Sequence, residues 1–175
     1  MFLVRHGGTA ATRAGRLPLD EPAEHAPQLP PRAEVRTSPA LRCQVDGATV
    51  EPGLGPWDLG RWAGRSFGEL FVEDAEAALT WRSDPSWAGH GGESLAQLSL
   101  RVGALLGRWH GNPGRLVAVT HGAVIQCAVA HALRMPLLSV WDLDVSPGSL
   151  TELHARAGGW RVSRVNARPG TASAD

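Results

Sequence analysis

Leu3-Val4-Arg5-His6-Gly7 lies at the start of the chain, and Val119-Thr120-His121-Gly122 repeats its form far downstream. Each is an apolar run ending in a His-Gly step, the pattern of a buried strand that carries one histidine to the edge of a sheet. Between them, Thr37-Ser38-Pro39-Ala40-Leu41-Arg42 reads as a third strand-to-helix junction, and this one delivers an arginine. Open α/β sheets bind ligands at such junctions. Arg5, His6, Arg42 and His121 at three of them make a pocket for a dianion beside a nucleophile.

Outward from these anchors the elements alternate. Phe2 to Val4 is a short buried strand, followed by a Gly7-Gly8-Thr9 turn. Residues 17–33 carry Pro18, Pro22, Pro27, Pro30 and Pro31, a density that forbids a long helix and predicts an irregular surface loop. Glu34 to Thr37 is a second strand. With Ser38 as cap and Pro39 in the first turn, a helix is predicted to about Asp46, ending at Gly47. Thr49 to Glu51 fits an edge strand, and a helical piece spans Ser66 to Trp81. Leucines and a valine from Leu95 to Leu106 recur at helical spacing, predicting a helix from Ser94 to Trp109 stopped by Gly111-Asn112-Pro113-Gly114. Leu116 to Thr120 is a strand and Ala123 to Met135 an apolar helix. Ser149 to His154 and Trp160 to Val165 alternate as a hairpin around Ala157-Gly158-Gly159.

Strands alternating with helices predict an α/β, three-layer fold with a central, mostly parallel sheet flanked by helices. The 175 residues fit one domain, taken as 1–167, with 168–175 as a disordered tail. The Gly- and Trp-rich excursion 52–92 lies where a lid over an active site is usually found.

Seventeen basic side chains balance seventeen acidic ones, so no electrostatic footprint for nucleic acid or an anionic membrane is present. No apolar run approaches the roughly 20 residues that span a bilayer. The strand at Phe2 leaves no room for a signal peptide. Cys43 and Cys127 lack metal spacing and read as buried thiols of a reducing compartment. A cytoplasmic enzyme is expected.

A histidine nucleophile must be neutral at the attacking nitrogen and held in one tautomer, which a carbonyl in a tight strand-end turn can do. Arginine forks match the oxygens of a transferring phosphoryl group, and N–H groups at the helix starts after Gly7 and Gly122 add to them. His6 is therefore cast as nucleophile, with Arg5, Arg42 and His121 as the clamp. The chemistry is phosphoryl transfer through a phosphohistidine.

Leu3-Val4-Arg5-His6-Gly7 with Thr9, Ser38-Pro39 with Arg42, Asp58-Leu59-Gly60-Arg61-Trp62-Ala63-Gly64-Arg65-Ser66, Gly91-Gly92-Glu93-Ser94 and Val119-Thr120-His121-Gly122 together resemble the histidine phosphatase superfamily, in its phosphoglycerate mutase-like branch. The likeness runs almost end to end. The Gly60 to Ser66 segment is most similar to broad-range bacterial phosphatases and ribazole phosphatases. The resemblance implies a phosphoglycerate mutase-like fold and hydrolysis of a small phosphorylated metabolite, with no cofactor and no metal. It also implies substrate contacts from Gly7, Thr9, Thr12, Glu93 and Gly122.

The departures concern chemistry. Gly8 stands where the family commonly has Glu, and Thr12 where Asn often helps hold phosphate. Relatives place a carboxylate four residues before Gly60, where it protonates the leaving oxygen; here that residue is Pro56. Losing a positioned acid costs about a hundred- to ten-thousandfold in rate. Three explanations stay open: Asp58 has taken over the role, Glu93 has, or the substrate's leaving group needs no acid. A second reading of the whole chain is a degenerate or repurposed member that binds a phosphorylated ligand or partner without turnover. The short Pro-rich flank leaves a surface compatible with a homodimer. Trp57, Trp62, Trp81 and Trp87 read first as packing of the lid and second as a stacking surface for a planar substrate.

Overall fold

The computed structural model describes residues 1–112 and 114–168. Six strands form one mixed sheet: β1 (Phe2–Arg5), β2 (Glu34–Thr37), β3 (Thr49–Val50), β4 (Leu116–Thr120), β5 (Leu150–Arg156) and β6 (Gly159–Ala167). Their order across the sheet is β3-β2-β4-β1-β5-β6. The first four run parallel; β5 lies antiparallel to β1, and β6 antiparallel to β5. The mostly parallel expectation therefore holds, and the four parallel strands include both that end in His-Gly steps.

Alternation along the strands sorts the core. Leu3 and Ala118 belong to the larger cluster, which includes helices α3 (Leu95–Trp109) and α4 (Gly122–Leu133). Val4, Val117 and Val119 point to the opposite face and pack with Cys43, Leu150 and the partly buried Leu29 and Ala33. That second face is covered by irregular chain, as the proline density of residues 17–33 predicts. All five residues of β4 are buried, which explains its unbroken apolar run.

Both longer predicted helices carry capping boxes. Ser66 and Glu69 start α2 (Phe67–Ser83), and Ser94 and Gln97 start α3. Helix α2 is broken at Asp74 (φ −156°, ψ 83°), whose carboxylate accepts from the Ala77 N–H and caps the second half. The helix predicted from Pro39 to Asp46 is absent, leaving a 3₁₀ turn over Leu41–Cys43. Ala40 and Gln44 are extended, and the turn's polar groups are bound elsewhere: Leu41 N–H to Asp20 at 2.9 Å, the Cys43 carbonyl to the Thr37 hydroxyl. Helix α1 is short (Ala10–Arg13), with Thr9 as its cap. The predicted tail beyond Arg168 lies outside the described residues. Among the described residues no helix is long and apolar enough to cross a membrane.

Candidate active site

Because β2, β4 and β1 are parallel neighbours, their C-terminal ends lie side by side. His6 follows β1, His121 follows β4 and Arg42 lies in the turn after β2. One cavity of about 360 Å³ opens there, lined among others by Arg5, His6, Arg42 and His121. That volume suits a small ligand.

The His6 ring is held by its own turn. Nδ1–H donates to the Gly7 carbonyl at 2.6 Å, which leaves Nε2 as the bare nitrogen. Burial, then the cations of Arg42 and Arg5, push its pKa down to about 4 against the pull of that hydrogen bond, so the imidazole is neutral near pH 7. Glycine is required next in line, since a Cβ on Gly7 would meet the His25 carbonyl oxygen at 2.0 Å.

His121 faces His6 with ring centroids 5.3 Å apart at 61°. Its Nε2 lies 2.7 Å from Ser38 Oγ, which already accepts from the Ala40 N–H. Cys43 Sγ lies 3.7 Å from the same nitrogen, so Nε2 is engaged by Ser38 and Cys43 while Nδ1 is left without a partner among the described residues. Burial and the neighbouring Arg42 hold the His121 pKa well below the usual range, so it too is neutral.

Five buried nitrogens of residues lining this cavity find no partner among the described residues: Arg5 Nε, Arg42 Nε, His121 Nδ1 and the indole nitrogens of Trp81 and Trp141. Arg5 spends one nitrogen on the Val145 carbonyl and Arg42 one on the Leu19 carbonyl. Arg42 is 4% exposed; its carboxylate neighbour Asp20 stands 3.8 Å away with a side chain 65% exposed. Two guanidinium groups, both largely desolvated, and a neutral imidazole thus line one cavity, with Asp144 acting on Arg5 and Asp20 and Glu21 on Arg42, an arrangement that suits a bound dianion. Gly122, the first residue of α4, also lines the cavity and adds a helix N-terminus. Thr9 and Thr12 line it as well, their hydroxyls 3.0 Å apart.

The structure separates the remaining candidates from this group. Gly7 acts through its carbonyl on His6 and is not among the lining residues. Asp58 is exposed, and its carboxylate accepts from the Gly60 N–H at 2.9 Å. Glu93 is gripped at both oxygens by Arg101, at 3.0 and 2.8 Å, and Arg101 also holds the carbonyls of Gly53, Gly55 and Pro56. Neither carboxylate lines the cavity, whereas Pro56 does. His90 is buried between Trp62 and Trp87 and stays outside it.

Several lining residues went unrecognised in the sequence: Asp144, Trp141, Gln126 and Arg16. Asp144 is the carboxylate at the cavity, attracting Arg5 and accepting from Asn166 Nδ2 at 3.2 Å. It arrives because β5 runs antiparallel to β1: Val4 pairs with Leu150, and the Gly148 N–H bonds the carbonyls of Arg5 and His6. A loop entering an antiparallel strand shares the edge where its parallel neighbours end, a juxtaposition set by pairing rather than by any local motif.

With this geometry the chain can be set beside known proteins. The profile of the histidine phosphatase superfamily (branch 1) matches residues 31–168, which contain Arg42 and His121. A glucosyl-3-phosphoglycerate phosphatase of Mycobacterium tuberculosis is 33% identical over 98 residues, covering 50% of this chain and 44% of that protein. A bifunctional protein of the same organism is 30% identical over 153 residues, 87% of this chain and 36% of that one. The chain thus spans less than half the length of these relatives. Among solved structures, a mycobacterial glucosyl-3-phosphoglycerate phosphatase in complex with VO3 superposes with a TM-score of 0.76 at 24% identity, over 95% of this chain and 98% of that one. The alpha-ribazole phosphatase of Shigella flexneri gives 0.76 at 23%, over 95% and 96%. The chain belongs to branch 1 of the histidine phosphatase superfamily.

Proposed function

We propose that the protein is a phosphatase that hydrolyses small phosphate monoesters through a phosphohistidine on His6. The observation that carries this reading is the set of buried nitrogens without partners, Arg5 Nε, Arg42 Nε and His121 Nδ1, around a neutral His6 whose Nε2 is left bare. Nε2 attacks phosphorus as the bond to the ester oxygen breaks, and the leaving group takes that electron pair. The two arginines and His121 hold the phosphoryl oxygens as charge shifts among them. Water then attacks the phosphorus of phospho-His6, returning the electron pair to Nε2 and releasing phosphate.

The leaving oxygen departs without an acid at position 56, since proline has no proton to give. Asp58 is held by the Gly60 N–H and Glu93 by the Arg101 guanidinium, both outside the cavity, while Asp144 inside it is committed to Arg5 and Asn166, so none of the three replaces it. Esters whose alcohol leaves as a stable anion are therefore the favoured substrates, and alkyl esters lose about a hundred- to ten-thousandfold relative to an enzyme with a positioned acid. The segment 52–92 acts as a wall of the site, supplying Pro56, Trp57, Leu59, Phe67 and Trp81.

The test is phosphate release from phenyl phosphate and from glycerol 2-phosphate by the wild type and by His6→Ala. Hydrolysis of the phenyl ester that vanishes in His6→Ala supports the reading. No His6-dependent release from either ester overturns it in favour of a binding member of the family.

A further inference from the structure

Beyond the phosphoryl site the cavity changes character. Trp57, Trp81, Trp141 and Phe67 all line it, and their rings touch one another: Trp81 lies 5.2 Å from Trp57, 4.9 Å from Trp141 and 5.7 Å from Phe67. Trp141 also meets Trp57 at 5.8 Å. These rings come from separate parts of the chain, the strap after Leu54, the two ends of α2 and the 3₁₀ turn Leu137–Asp142, so the fold assembles one continuous aromatic wall. Not every tryptophan nearby is used in this way. Trp62 and Trp87 pack against each other at 5.0 Å outside the cavity.

Two further features bear on what such a wall receives. The polar side chains around it are already engaged: Gln126 donates to the Leu143 carbonyl at 2.7 Å, and Arg16 to Gly64 and Glu69. A hydroxyl-rich organic group would be stripped of water there and offered few partners, which is costly. By contrast, the indole N–H groups of Trp81 and Trp141 are buried and find no acceptor among the described residues, although buried indoles usually have one. Wall and phosphoryl clamp belong to the same cavity, so one molecule spans both.

We infer that the organic part of the substrate is a planar, uncharged aromatic ring system, seated against Trp141 and Phe67, with the buried Trp57 and Trp81 packed behind them, while its phosphate lies on Arg5 and Arg42. The inference rests on the phosphatase reading for the position of the phosphate, and it specifies which ester that site takes.

Binding to the His6→Ala protein separates this claim from leaving-group chemistry. By calorimetry, 1-naphthyl phosphate, glycerol 2-phosphate and inorganic phosphate are compared on the same preparation. Naphthyl phosphate is expected to bind at least about tenfold more tightly than glycerol 2-phosphate. Adding Trp141→Ala, a partly exposed ring on a short turn, should remove most of that margin. Equal affinities for the two esters in the His6→Ala protein overturn the slot, whatever the second variant does. Preferential binding of naphthyl phosphate without turnover by the wild type would uphold the slot and defeat the phosphatase reading. If none of the three ligands binds, both fall.

Discussion

Pro56 borders the cavity, at the position where the resemblance to the family implies an acid, and its side chain is the most direct point at which to change the chemistry. Pro56→Glu should raise turnover of glycerol 2-phosphate at least about tenfold while changing phenyl phosphate little, because only the poor leaving group needs the proton. Equal gains on both esters, or none, would show that protonation is not what limits the alkyl substrate. Asp58→Asn should leave the phenyl-to-alkyl ratio as it is, since the carboxylate sits outside the cavity on the Gly60 N–H; a selective loss of the alkyl ester would restore Asp58 as the acid. The residues most legible in the sequence were those a strand end must deliver: His6, His121 and Arg42 stand at turns that composition and apolar runs announce. Asp144 and Trp141 were not legible, because they reach the same edge only through the antiparallel register of β5 and a turn with no periodic pattern.

Among the elements, the strap formed by residues 58–60 and 90–92 explains motifs that resemble chemistry but serve packing. The Arg61 N–H donates to the His90 carbonyl at 3.0 Å and the Glu93 N–H to the Asp58 carbonyl at 2.8 Å, so the two backbones lie in contact. A Cβ on Gly92 would fall 2.3 Å from the Asp58 carbonyl oxygen, which no rotamer can relieve. Gly92→Ala is accordingly expected to destabilise the fold by more than about 1 kcal/mol in chemical denaturation and to raise KM for aryl esters, because the strap carries Trp57. Unchanged stability would mean the two backbones can part freely. Helices α2 and α3 were readable from their serine caps and apolar spacing. The helix expected after Pro39 was not formed, since Asp20 and Thr37 claim the turn's backbone and sequence spacing does not reveal tertiary partners.

For the molecule as a whole, the site's electrostatics set a pH dependence. His6 titrates at about 4 in the folded protein against 6.5 ordinarily, so between these values the unfolded chain takes up a proton that the folded chain refuses. Stability is then fully present above about pH 6.5 and is lost as pH falls, on the order of 2 kcal/mol from His6 by pH 5. His121 shifts in the same direction and adds to it. The denaturation midpoint should drop between pH 7 and 5, less steeply in His6→Ala; a slope unaffected by that substitution would contradict the assigned burial of a neutral ring. A phosphatase of this kind passes through a covalent intermediate on His6, which can be trapped. Wild type mixed with phenyl phosphate is quenched in alkali, where phosphohistidine survives, and its peptides are mapped by mass spectrometry. One phosphoryl group is expected on the peptide that holds His6, absent from His6→Ala. Steady turnover by the wild type with no phosphate on His6, and by His6→Ala at a similar rate, would contradict it.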